Sequence, residues 1–237
     1  MSSAGNGPPT PVPEESVTDF LPGTLDLKCL PRLQPPSWAT PAGTRALGRE
    51  LSQLQQVQAT TPARQLGWYM DFDAVDNMFQ WIVELHSFNT SLPLAQDMKK
   101  AEVTSIVIEI RFGKDYPMSP PFVRVIRPRF TPFMQGGGGN VTAGGAMCME
   151  LLTNTGWSPA NSMENVLLQV RLAICDEERP ARLDTSRLWK GKDYGVEEAI
   201  DAYIRAARVH GWEVPKDFRA TAYGGVDTDL GLWSAGR

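Results

Sequence analysis

Residues 103–128 read VTSIVIEIRFGKDYPMSPPFVRVIRP. Thr104, Ile106, Ile108, Ile110 and Phe112 alternate with more polar neighbours, the period of a strand with one face turned to a core. In the turn DYPMSPP, Pro117, Pro120 and Pro121 hold the chain out of helical space. FVRVIRP at 122–128 then starts another apolar run, so the stretch predicts two strands joined by a rigid turn.

Upstream, the same alternation recurs in WYMDFDA through Trp68, Met70 and Phe72, and in MFQWIVELHSF through Phe79, Trp81, Val83 and Leu85. The four segments predict an antiparallel meander. Before them Leu47, Leu51, Leu54 and Gln58 fall at helical spacing, which predicts a first helix over about 43–58. Residues 1–40 carry Pro8, Pro9, Pro11, Pro13, Pro22, Pro31, Pro35 and Pro36, and are expected to be a mostly disordered lead. Within it, FLPGTLDLKCLPRL has the leucines to dock on a surface, and a sticky linker explains it equally well.

Downstream a long loop carries the glycine run 136–139 and Cys148. A loop of that length inside a domain is usually functional. NSMENVLLQVRLAI then predicts a core helix burying Val166, Leu167, Val170 and Ile174, with Asn161 and Glu164 as a capping box. YGVEEAIDAYIRAARVHG predicts a last helix with Val196, Ile200, Tyr203, Ile204 and Ala207 on one face, ending near Gly211. The resulting fold class is α+β: helices packed on a four-stranded antiparallel sheet, in one domain over 41–215 with a tail over 216–237.

The composition narrows the function. At 237 residues and 42% hydrophobic content, one core is expected rather than two. A net charge of −4 supplies no positive field for nucleic acid. No apolar run approaches the roughly 20 residues that span a bilayer, and the start lacks a secretory pattern, so an intracellular protein without membrane or nucleic-acid partners is expected. The three cysteines, Cys29, Cys148 and Cys175, are widely spaced beside two histidines, His86 and His210, a pattern that suits neither a disulfide framework nor a zinc site. Cys175 ends the stripe of the core helix and is assigned to packing. His86 is expected to be a structural strand residue, solvent-facing or hydrogen-bonded, and His210 a helix C-terminal cation.

Taken together, DYPMSPPFVRV, NVTAGGAMCMELL and GWSPANSMENVL resemble the core of ubiquitin-conjugating enzymes, over about Arg45 to Pro215. PPFVRV, GGAMCMELLTNTGW and HGWEVPKDF are most similar to the Q-type branch. The resemblance implies that Cys148 carries ubiquitin as a thioester, taken from an activating enzyme that itself uses ATP, with no cofactor bound to this chain. It implies transfer to a lysine of a protein substrate, usually with a RING-type ligase, in the cytoplasm or nucleus. Asn140, eight residues before the cysteine, matches the family's oxyanion donor, and an isolated turn-forming role for it stays open.

Other roles follow from the same resemblance. Gly144 and Gly145 would line the groove for the ubiquitin tail, or simply form a tight turn. Asp176 and Asp184 are both candidates for the family's gating acid. Met118, Pro159 and Ala160 match the ligase-binding loops, and Arg45 and Arg49 the helix that meets the activating enzyme. One departure stands out: the family's His-Pro-Asn appears here as Gly138-Gly139-Asn140. That loss keeps a second expectation alive, a catalytically weak or inactive binding module for ubiquitin or a ligase. A cysteine hydrolase is set aside, because it needs a histidine at the thiol and both histidines fall elsewhere.

Overall fold

The computed structural model describes residues 17–186, 191–215 and 218–224. Strands β1 (Trp68–Tyr69), β2 (Gln80–Leu85), β3 (Ile106–Arg111) and β4 (Phe122–Arg127) form one antiparallel sheet in the order β1-β2-β3-β4. Register pairs Val83 with Ile108 and Ile108 with Val125, so the alternating apolar residues share one face. Helices α1 (Pro41–Thr60) and α4 (Met163–Ile174) cover that face, burying Leu47 and Leu54 from the first and Val166, Leu167, Val170 and Ile174 from the second. The meander and the flanking helices follow the alternation seen in the sequence.

Several boundaries differ for local reasons. Helix α1 begins at Pro41, because the Thr40 Oγ1 accepts the Gly43 N–H at 3.0 Å and proline suits a first helical position. Strand β1 is short: the Asp71 carboxylate caps a 3-10 turn over Phe72–Ala74, which takes Phe72 out of the sheet. The cap of α4 is Ser162, whose Oγ accepts the Asn165 N–H at 3.2 Å, rather than Asn161. A short helix α2 (Ala63–Leu66) and a longer α3 (Pro93–Ala101) are additions to the expected elements. Helix α3 opens on proline and buries Leu94, Ala95 and Met98.

The opposite face of the sheet is covered as well. Helix α5 (Val196–His210) and the short α6 (Phe218–Ala222) bury Phe122, Ile200, Tyr203 and Phe218 together. Thus residues 218–222, expected in a tail, belong to the packed body, whereas Trp233 lies outside the described residues. The lead is also corrected for residues 17–40, while residues 1–16 lie outside the description. Val17 bridges to Asn89, and Leu30 is buried with Val107 and Ile126. Leu25, Leu27 and Leu30 of FLPGTLDLKCLPRL therefore dock on the sheet, whereas Leu21 is exposed. Between the lead and α5 sits a buried charge cluster, with Glu109 bonded to Arg111 Nε at 2.8 Å and to Arg124 Nε at 2.6 Å. No helix among the described residues is long and apolar enough to cross a membrane.

Candidate active site

The loop after β4 folds back as a small hairpin lying along that strand. Val141 bridges Met147, the Thr142 N–H donates to the Ala146 carbonyl at 2.9 Å, and the Gly145 N–H closes the turn onto the Thr142 carbonyl. Sheet-like bonds from Val125 N–H to the Gly145 carbonyl and from Met147 N–H to the Val123 carbonyl fasten the hairpin to β4. Asn140 and Cys148 are thereby opposite ends of one hairpin, joined by the Cys148 N–H donating to the Asn140 carbonyl at 2.7 Å. The spacing of eight is the length of that hairpin. Asn140 takes φ +56, in the left-handed region that Asn tolerates better than most residues. Its side chain is exposed and makes no hydrogen bond within the described residues.

Cys148 is a free, half-buried thiol. Burial pushes its pKa above the ordinary cysteine range, so the thiol form dominates at neutral pH. The Tyr203 phenol lies within reach of the thiolate's field, which adds to the burial that raises the phenol to about 12; its hydroxyl donates to the Leu152 carbonyl at 3.4 Å. Tyr203 was legible in the sequence only as a core residue of the last helix. Neither histidine serves the thiol. His86 is fully buried, pairs with the Ser87 Oγ at 2.8 Å and is not solvent-facing, and His210 stacks on Trp212. Cys175 closes α4, half-buried against the core, whereas Cys29 is exposed and donates to the Asp26 carboxylate.

The glycines split into two groups, and both have reasons the sequence does not reveal. Gly144 and Gly145 are buried in the turn of the hairpin. A Cβ on Gly144 would stand 2.0 Å from the Glu198 carbonyl oxygen, and one on Gly145 would stand 2.6 Å from the Tyr194 ring. Gly145 also takes φ +90, so glycine is needed there twice over. Gly138 and Gly139, which replace His-Pro, rest on the segment after α4: a Cβ on Gly138 would stand 1.9 Å from the Arg179 carbonyl oxygen. The Gly139 N–H donates to that carbonyl at 3.0 Å. Backbone packing therefore braces this loop without an imidazole.

The two candidate acids part company. Asp176 caps the turn after α4, accepting the Glu178 N–H at 2.9 Å, and so belongs to the segment packed beside Asn140. Asp184 accepts the Ser186 N–H and lines a different groove with Cys29, Lys100 and Arg127, whose walls include neither Cys148 nor Asn140. Met118 is 73% exposed, and the Trp157 Nε1–H donates to the Pro117 carbonyl at 2.8 Å. That bond draws the Met118 turn toward the loop of Pro159 and Ala160, both exposed. Arg45 and Arg49 point outward from α1. Among the described residues no group of three or more His, Cys, Asp or Glu side chains could hold a metal ion.

Residues 52–204 match the family model described as "Ubiquitin-conjugating enzyme". The chain is 32% identical over 177 residues to the Q-like ubiquitin-conjugating enzyme CG4502 of Drosophila melanogaster, covering 73% of this chain and 53% of that protein. It is 27% identical over 177 residues to "Ubiquitin-conjugating enzyme E2 25" of Caenorhabditis elegans, covering 72% and 43%. To the Q-like ubiquitin-conjugating enzyme protein 1 of Homo sapiens it is 32% identical over 151 residues, covering 62% and 89%. The chain spans about half the length of the first two relatives.

Proposed function

Because the chain belongs to the ubiquitin-conjugating enzyme family, on its Q branch, we propose that Cys148 accepts ubiquitin from an activating enzyme and passes it to an amine. The observation that carries this is the hairpin that sets a half-buried thiol and an exposed side-chain amide at its two ends. In the first step the Cys148 sulfur attacks the thioester carbonyl on the activating enzyme, a new S–C bond forms, and the donor cysteine leaves as thiolate. The high pKa of Cys148 means its proton must leave as the two proteins meet, and the departing thiolate can take it up.

In the second step a substrate lysine, as the free amine, adds to the Cys148 thioester. The carbonyl oxygen becomes an oxyanion, the C–S bond then breaks, and an isopeptide forms. An amide aimed at that oxyanion contributes about 3 kcal/mol in comparable sites, and Asn140 is the donor we assign to it. Asp176, on the segment beside Asn140, is the better candidate for a gating acid than Asp184. The joined loops of Met118, Pro159 and Ala160 fit a RING-type ligase, and Arg45 and Arg49 fit the activating enzyme. ATP is consumed by that enzyme, not by this chain.

The test separates the two steps. Charged with activating enzyme, ATP and ubiquitin, the wild type forms a thioester that free lysine discharges. Asn140→Ala charges normally, while its discharge falls about 100-fold. A wild type that never charges contradicts the proposal and favours a binding module. Equal discharge by Asn140→Ala removes the amide from the mechanism.

A further inference from the structure

Resting on that reading, we propose that Asp97 and Arg182 form a clamp that positions Asn140 for transfer to the amine. Asp97, from helix α3, is only 5% exposed, and its carboxylate grips Arg182 with both oxygens, Oδ2 to Nε at 2.6 Å and Oδ1 to Nη2 at 2.9 Å. The same Oδ2 accepts the Leu183 N–H at 3.2 Å. A two-pronged charged pair with a third backbone bond fixes both position and direction of the segment it holds.

What the clamp holds packs against the chain that leads into the hairpin. Leu183 bridges Phe130, and the Thr131 N–H donates to the Arg182 carbonyl at 2.8 Å, so the segment forms a short ladder with the chain entering the glycine run. Just before the clamp, the Arg179 carbonyl receives the Gly139 N–H, and Ala181, fully buried, is the surface against which Gly139 lies. Gly139 and Asn140 are consecutive left-handed residues, at φ +72 and +56; glycine takes this conformation freely, whereas Asn140 takes it at a cost its surroundings must offset. The Cys148 N–H holds it from one side. Residues 179–183 hold it from the other, and α3 anchors them. Asp97 thus acts through the loop and touches no reacting atom; it is a positioning residue.

The experiment uses the full chain carrying Asp97→Asn, which keeps the shape and removes the charge. Two readouts separate positioning from general stability. In single-turnover discharge of preformed thioester to free lysine, the limiting rate is expected to fall about tenfold, with the lysine concentration at half-maximum rate and the charging step within about twofold of wild type. In hydrogen exchange, the Gly139 amide is expected to open faster while the Ile108 amide in β3 keeps its protection. Wild-type discharge by Asp97→Asn, or equal loss of protection at Gly139 and Ile108, overturns the proposal. The exchange arm reads the clamp whether or not the protein charges, so failure of the conjugating reading is distinguishable from failure of this one.

Discussion

Phe20 lies flat on the imidazole of His86, with ring centroids 3.8 Å apart and planes 5° from parallel. The lead thus seals a fully buried histidine, and burial, ahead of the nearby Arg171 charge, pulls its pKa from 6.5 down to about 4. The folded chain therefore excludes a proton that the unfolded chain accepts. Stability from this group is complete above pH 6.5 and is lost progressively as pH falls toward 4, a difference of about 3 kcal/mol. Urea midpoints measured from pH 7 to pH 4 should fall more steeply for wild type than for His86→Gln. Parallel curves would contradict this.

Restoring the family's tripeptide should harm this protein. A histidine at 138 needs a Cβ where the Arg179 carbonyl stands, and Gly139 combines φ +72 with an N–H that is used. Proline offers neither that φ nor that donor. Gly138→His with Gly139→Pro is expected to lower the melting temperature by several degrees, as a loss of about 1–3 kcal/mol implies, and to slow discharge to lysine. Faster discharge in the double variant would show that the glycines are a defect and not an adaptation.

How much of this is legible in the sequence depends on range. The meander and α4 are readable because alternation and helical stripes report burial within a few residues of themselves. Asn140 and Cys148 are readable as a pair because a hairpin is local. The clamp is not: Asp97 and Arg182 are 85 residues apart, and α3 is a short helix. The lead misleads for a related reason. Its prolines exclude regular structure, yet Leu30 needs none to pack on Val107 and Ile126. Glycines read as freedom, whereas Gly138, Gly144 and Gly145 mark places where backbones touch.

Burial of Cys148 sets its reactivity. Alkylation by iodoacetamide, followed peptide by peptide, should rise with pH with a midpoint above the ordinary cysteine value of about 8.5. A midpoint near 7 would mean that something beyond this chain's geometry stabilises the thiolate.

The charge cluster on the outer face predicts a stability effect. Glu109 is fully buried and serves both Arg111 and Arg124, and the Gln80 amide that bonds it also reaches the Pro31 carbonyl of the lead. Glu109→Gln leaves two buried guanidinium groups without an anion and should cost about 3–5 kcal/mol. Chemical denaturation measures it. A loss under about 1 kcal/mol would show that water or another group compensates the arginines.

The site at which ubiquitin becomes attached is the most direct measurement. Wild type and Cys148→Ala are incubated with activating enzyme, ATP and ubiquitin, and their intact masses are read without reductant. Wild type is expected to gain one ubiquitin less one water, removed by a thiol reductant, and Cys148→Ala to gain nothing. A reducible adduct on Cys148→Ala, carried by Cys29 or Cys175, or an unmodified wild type would contradict that expectation.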